Sequence, residues 1–141
     1  MSIWFQPANI QDLNRLSENT MVSYIGIEFT EIGPNYICAK MPVNRHTHQP
    51  DGLLHGGASV VLAETLGSVA SNLCIDRTKK ICVGLDINAN HVRSARTGYL
   101  TGTTKPVHIG ASTHIWEIRI TNEKDSLVCI ARLTMAVLDQ T

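Results

Sequence analysis

The second half of the chain alternates. Across Ile81–Val92, Val83, Leu85, Ile87 and Ala89 fall on one side of an extended segment and Asp86, Asn88 and Asn90 on the other, which is the two-residue period of a strand. Tyr99–Val107, Ala111–Ile120 and Leu127–Leu138 predict three more strands, with Gly98 and Gly110 as punctuation and Asn122-Glu123-Lys124-Asp125 as a hairpin turn. Earlier, Gly26–Phe29 and Tyr36–Val43 predict two strands joined at Gly33-Pro34-Asn35. Ile10, Leu13, Leu16 and Met21 have looser, helical spacing behind Asn9, a residue suited to capping.

Between these halves the pattern changes. Ala58–Leu73 is rich in Ala, Val and Leu, carries no Pro, Lys or Arg, and is too long for an ordinary strand. It predicts a helix over Gly56–Asn72, about five turns and roughly 25 Å long. Its apolar residues run nearly all round, so it should be buried on most sides. The order is helix, two strands, long helix, four strands, an α+β arrangement in which the sheet can bury the helix only by curling around it. No repeat or linker interrupts residues 1–141, which predicts a single domain.

Composition narrows the function classes. Of 141 residues, 43% are hydrophobic and only 17% charged, so a disordered or fibrous chain is excluded. Lys plus Arg equals Asp plus Glu at 12 each, a poor balance for gripping nucleic acid and one that favours self-association. No run of apolar residues is long enough to span a membrane and no signal-peptide pattern opens the sequence. Cys38, Cys74, Cys82 and Cys129 form no CxxC pair and read as reduced core thiols of a cytoplasmic protein.

Within the long helix Glu64 is the only charged residue between His55 and Asp76. Either it points to solvent through a gap, or it is a desolvated carboxylate serving as general base or nucleophile. Ser68, one turn on, is its orienting partner or simply a small helix residue. At the helix start, Gly56-Gly57 leaves backbone N–H groups uncovered, either as an oxyanion hole or as ordinary loop glycine. His55 donates to the same oxygen or caps the helix, and the amide of Gln49 can donate without titrating. Asn88 and Asn90 are structural or line a wet cavity, and His91 is a ligand or water contact. Arg93, Arg96 and Lys105 contact ligand phosphates or are solvated strand-end charges.

Other motifs fail on spacing. His46, His48 and His55 have no fourth ligand pattern for zinc. Asp86–Asn90 opens like a calcium loop but has His91 where glycine is needed and Thr97 where glutamate is needed. There is no G-x-S-x-G elbow, phosphate loop or dinucleotide fingerprint.

Gln49–Ser68 resembles the active-site segment of the hotdog-fold acyl-CoA thioesterases. Gly84–Arg93 and Lys105–Gly110 are similar to the same family, and the resemblance spans nearly the whole chain. It is strongest to a bacterial branch that includes 1,4-dihydroxy-2-naphthoyl-CoA hydrolases and enterobactin proofreading thioesterases. The resemblance implies five or six antiparallel strands wrapped around the long helix. It also implies homodimers with shared active sites, commonly paired into tetramers. By motif it makes Glu64 the catalytic carboxylate with Ser68 nearby, while the neighbouring subunit supplies the Gly56 N–H, with His55 and Gln49 at the thioester carbonyl. His91, with Asn90 beside it, would line the substrate site; Arg93, Lys105 and His108 would border the CoA nucleotide. The implied reaction is hydrolysis of aromatic or medium-chain acyl-CoA, with no cofactor, since coenzyme A belongs to the substrate. Open alternatives are a carrier-protein thioester as substrate, a non-catalytic acyl-CoA-binding dimer, and a hotdog dehydratase that would depend on His55.

Overall fold

The computed structural model describes residues 1–141. Two short helices come first, α1 (Ile10–Leu16) and α2 (Met21–Tyr24), followed by strands β1 (Glu28–Ile32) and β2 (Ile37–Pro42). The long helix α3 (Gly56–Leu73) precedes β3 (Lys80–His91), β4 (Tyr99–Ile109), β5 (Thr113–Thr121) and β6 (Leu127–Asp139). All pairings are antiparallel, in one six-stranded sheet of order β1-β2-β4-β5-β6-β3. The sheet curves around α3, which touches every strand from β2 to β6. This is the hotdog fold expected from the sequence.

The expected helix over Ile10–Met21 is two helices. Asn9 caps α1 by accepting from Asp12 N–H at 2.9 Å, and Thr20 caps α2 by accepting from Val22 N–H at 3.2 Å. Asn19, at φ 59°, turns the chain between them. Gly26 at φ 88° delays the first strand to Glu28, two residues later than its apolar pattern begins. Asn14 then covers the outer edge of β1, accepting from Phe29 N–H at 2.8 Å and donating to Phe29 C=O at 3.1 Å. The side chain thus satisfies the outer edge of β1 at Phe29 and blocks further pairing there.

The expectation of a helix buried nearly all round is corrected. Leu62, Ala63, Leu66, Gly67 and Ala70 face the sheet and are fully enclosed, but Val61, Thr65, Ser68 and Val69 are half-buried and Glu64 is exposed. The small residues permit close approach: a methyl at Gly67 would lie 2.5 Å from Leu133 Cδ2. Buried polar bonds fix the helix along its axis. Trp116 Nε1–H donates to Ser71 Oγ at 2.6 Å, and Ser71 Oγ lies 3.0 Å from His114 Nδ1. Asn72 Oδ1 accepts from Cys82 N–H at 3.1 Å. An N-terminal strap completes the end of α3, where Phe5 N–H caps Leu73 C=O at 2.8 Å and Trp4 stacks on Trp116.

β3 also differs from simple alternation. A bulge between Gly84 and Asp86 leaves Leu85 without a partner and reverses the faces beyond it. Val83 is therefore exposed, whereas Ile87 and Ala89 turn inward and are half-buried.

Candidate active site

His55 is the N-cap of α3, and its Nδ1 accepts from Gly57 N–H at 2.8 Å. Gly56 N–H, one residue earlier, has no acceptor in the chain. Helix N-termini carry partial positive charge, so this donor favours an anionic oxygen. The loop before the helix aims a second donor. Gln49 Oε1 accepts from Asp51 N–H at 2.6 Å and from Leu53 N–H at 3.3 Å, which leaves the amide NH2 free. Gln49, Gly56, His91 and Arg93 all line one hollow of about 340 Å³, walled by Leu53, Leu54 and Val128. The His91 ring lies directly against Gly56, where a methyl would come within 2.8 Å of Nε2.

The carboxylate is elsewhere. Glu64 and Ser68 share a second hollow of about 370 Å³ on the open face of α3, with Met21, Val22, Val61 and Val69 as apolar walls. Glu64 has no hydrogen bond or ion pair, and Ser68 Oγ is not bonded to it. Eight residues of helix separate Glu64 from Gly56, about 12 Å of rise. Within one chain the carboxylate and the free donor line separate hollows.

The remaining candidates scatter. Asn90 lies on the outer sheet face with Asn88, Glu117 and Arg132, away from its neighbour His91. Lys105 sits in another outer hollow with Glu117 and Arg119. His108, on the exposed last part of β4, joins none of the hollows described. Arg93 Nη1 donates to Leu127 C=O at 2.8 Å, which leaves the rest of its guanidinium at the mouth of the first hollow. His46, His48 and His55 do share a third hollow, but no three ligating side chains converge there to hold a metal ion.

His114 and Cys74, outside these hollows, both have pKa values shifted by burial. Burial lowers the pKa of His114, helped by His108. Burial also pushes the Cys74 thiol up to about 12, which keeps it protonated and inert. Sequence reasoning missed Gly84, which packs under Glu64, and Met21, which walls the carboxylate hollow. An isolated glycine within a strand pattern is the signal that pointed to the first. Nothing in the local sequence distinguishes Met21.

A helix wrapped by one antiparallel sheet, with a carboxylate on its open face and free donors at its N-terminus, defines a class of thioester hydrolase. Residues 51–129 match the thioesterase superfamily. The chain is 51% identical over 136 residues to the 1,4-dihydroxy-2-naphthoyl-CoA hydrolase of Escherichia coli, covering 96% of this chain and 99% of that one. A crystal structure of a mutant thioesterase from Pseudomonas aeruginosa superposes with a TM-score of 0.97 at 47% identity, covering 99% of this chain and 100% of that one. A thioesterase from Haemophilus influenzae gives 0.94 at 44% identity, covering 97% and 95%. The chain belongs to the thioesterase superfamily and is a hotdog-fold hydrolase of thioesters. No helix is long and apolar enough to cross a membrane.

Proposed function

We propose that this enzyme hydrolyses aromatic or medium-chain acyl-CoA thioesters to the free acid and CoA, with 1,4-dihydroxy-2-naphthoyl-CoA as the first substrate to test. The observation that carries the reading is the split site: an unpaired Gly56 N–H beside the free Gln49 amide in one hollow, and Glu64 in another. Pairing two copies edge to edge through β3 would bring Glu64 of one copy to Gly56, Gln49 and His55 of the other. β3 is suited to this. It is twelve residues long, it ends the sheet with its outer edge met by the Asn72 side chain at Cys82, near its start, and it exposes Val83 and Leu85 at 39% and 61%. Further pairing of such dimers into tetramers is consistent with the charge-poor composition.

In this site the thioester carbonyl points at the α3 N-terminus. Glu64 takes a proton from water as its oxygen attacks the carbonyl carbon. The resulting oxyanion is held by Gly56 N–H and the Gln49 amide, donors fixed before the reaction and worth about 10²–10³ in rate each. Collapse breaks the C–S bond and the CoA thiolate leaves with the proton that Glu64 took. Direct attack by Glu64 to form an acyl anhydride, followed by hydrolysis, uses the same groups. Ser68, His91 and the apolar walls at Met21, Val61 and Val69 would surround the acyl group, and Arg93, Lys105 and His108 would serve the CoA nucleotide. Coenzyme A arrives with the substrate and the chemistry needs no other cofactor.

The test is thiol release from benzoyl-, hydroxynaphthoyl-, medium-chain and long-chain CoA. Turnover of the aromatic or medium-chain esters is expected. Failure on every CoA ester by a folded dimer would turn the reading toward carrier-bound thioesters. Single-turnover trapping of an acyl group on Glu64 would replace the water route by the anhydride route.

A further inference from the structure

β3 reaches both halves of the split site. Up to the bulge Cys82 and Gly84 face α3, and beyond it Ile87, Ala89 and His91 do, paired with the buried Leu133, Ala131 and Cys129. Without the extra residue Leu85, unbroken alternation from Cys82 would turn Asp86, Asn88 and Asn90 inward instead. The bulge thus puts His91 against Gly56 and a residue with no side chain beneath Glu64. A methyl group at Gly84 would stand 2.9 Å from Glu64 Oε2, with Met135 Sδ next at 4.0 Å.

We propose that Gly84 is a positioning residue for thioester hydrolysis, its missing side chain letting the Glu64 carboxylate settle against the β3 backbone at the depth from which it acts. The proposal rests on the role of Glu64 given above. A methyl there needs roughly half an ångström more room to reach ordinary contact. The atom it meets is the end of an exposed, flexible side chain, so the fold yields easily while the carboxylate does not keep its place. Gly84 has no positive φ, so alanine meets no backbone strain. A 1 Å misplacement can cost about 10²-fold, so roughly tenfold is expected here.

The experiment is steady-state thiol release from benzoyl-CoA, or the best ester of the panel, with four proteins: native, Gly84→Ala, Glu64→Ala and the double variant, with melting curves for each. Gly84→Ala should lower kcat roughly tenfold, leave KM within about twofold and leave the melting temperature nearly unchanged. On the residual rate of Glu64→Ala the same change should cost less than about twofold, because no carboxylate remains to displace. Full activity of Gly84→Ala, or an equal loss in both backgrounds, would overturn the proposal while leaving Glu64 in its role. Full activity of Glu64→Ala would instead defeat the reading beneath it. Should Gly84→Ala fail to fold, the double variant must fold, since it carries no clash; failure of both overturns the proposal.

Discussion

Replacing Ser71 by alanine should loosen the anchor that sets the axial position of α3 and hence of Glu64. The hydroxyl accepts from Trp116 Nε1–H at 2.6 Å and shares a second hydrogen bond with His114 Nδ1 at 3.0 Å. Ser71 and Trp116 are 0% exposed and His114 1%, so water does not replace the lost group. The change deprives the Trp116 and His114 ring nitrogens of a partner in the core, at about 1–3 kcal/mol each, and a total of about 2–4 kcal/mol allowing for partial relaxation. With a urea dependence of about 1–3 kcal/mol per molar, the unfolding midpoint should fall by roughly 1–2 M. Native and variant must be compared at one protein concentration, because pairing of chains would stabilise both by mass action. Ser68→Ala, on the open face of the same helix, serves as the control and should move stability by less than about 0.5 kcal/mol. A loss for Ser71→Ala no larger than that of the control would refute the reasoning.

Three further outcomes follow from the packing. Burial holds His114 below its ordinary pKa of 6.5, so the unfolded chain binds the extra proton first. Its contribution to stability should be complete above pH 6.5 and be lost as the pH falls through that value toward the lower folded pKa, and urea midpoints from about pH 8 to 5 should show a flatter acid slope in His114→Gln. Gly67→Ala gains about 1 kcal/mol of helix propensity but drives a methyl to 2.5 Å from Leu133 Cδ2, a fully buried atom. Overpacking at about 1–3 kcal/mol should win, and a stabilised variant in thermal melts would show that Leu133 has room to move. Gly56→Ala should displace the His91 ring, 2.8 Å from the new methyl, and lower kcat roughly tenfold with little change in melting. Adding His91→Ala should remove most of that extra loss, and a purely additive pair of losses would show that the methyl acts elsewhere.

Much of the fold was legible because period carries it. The strands of the second half and the span of α3 follow from two-residue and helical spacing, and Asn9, Gly98 and Gly110 mark boundaries that the structure respects to within a few residues. The misses were local and physical. Ile10–Met21 looks like one amphipathic turn sequence, but a left-handed Asn19 and a second cap at Thr20 divide it. The burial of α3 was overestimated because Val61 and Val69 are apolar enough for a core yet face a hollow. On β3 a single unpaired residue reversed the faces, which a residue-by-residue period cannot register without knowing where the bulge lies. The candidate residues were named from the resemblance as a set, whereas their distribution over separate hollows was not foreseen. That distribution depends on helix length and sheet closure, which no motif encodes.

In the proposed site one carboxylate faces a helix N-terminus across two subunits. The most direct test is thiol release from the best acyl-CoA of the panel by native enzyme, Glu64→Gln, Gly56→Ala/Gln49→Ala and a mixture of the last two in which subunits have been exchanged. Each variant alone should fall by about 10² or more. The mixture should regain activity, because a heterodimer holds one site with native Glu64, Gly56 and Gln49. Undiminished turnover by Glu64→Gln, or no recovery in a mixture shown to contain heterodimers, would contradict this arrangement.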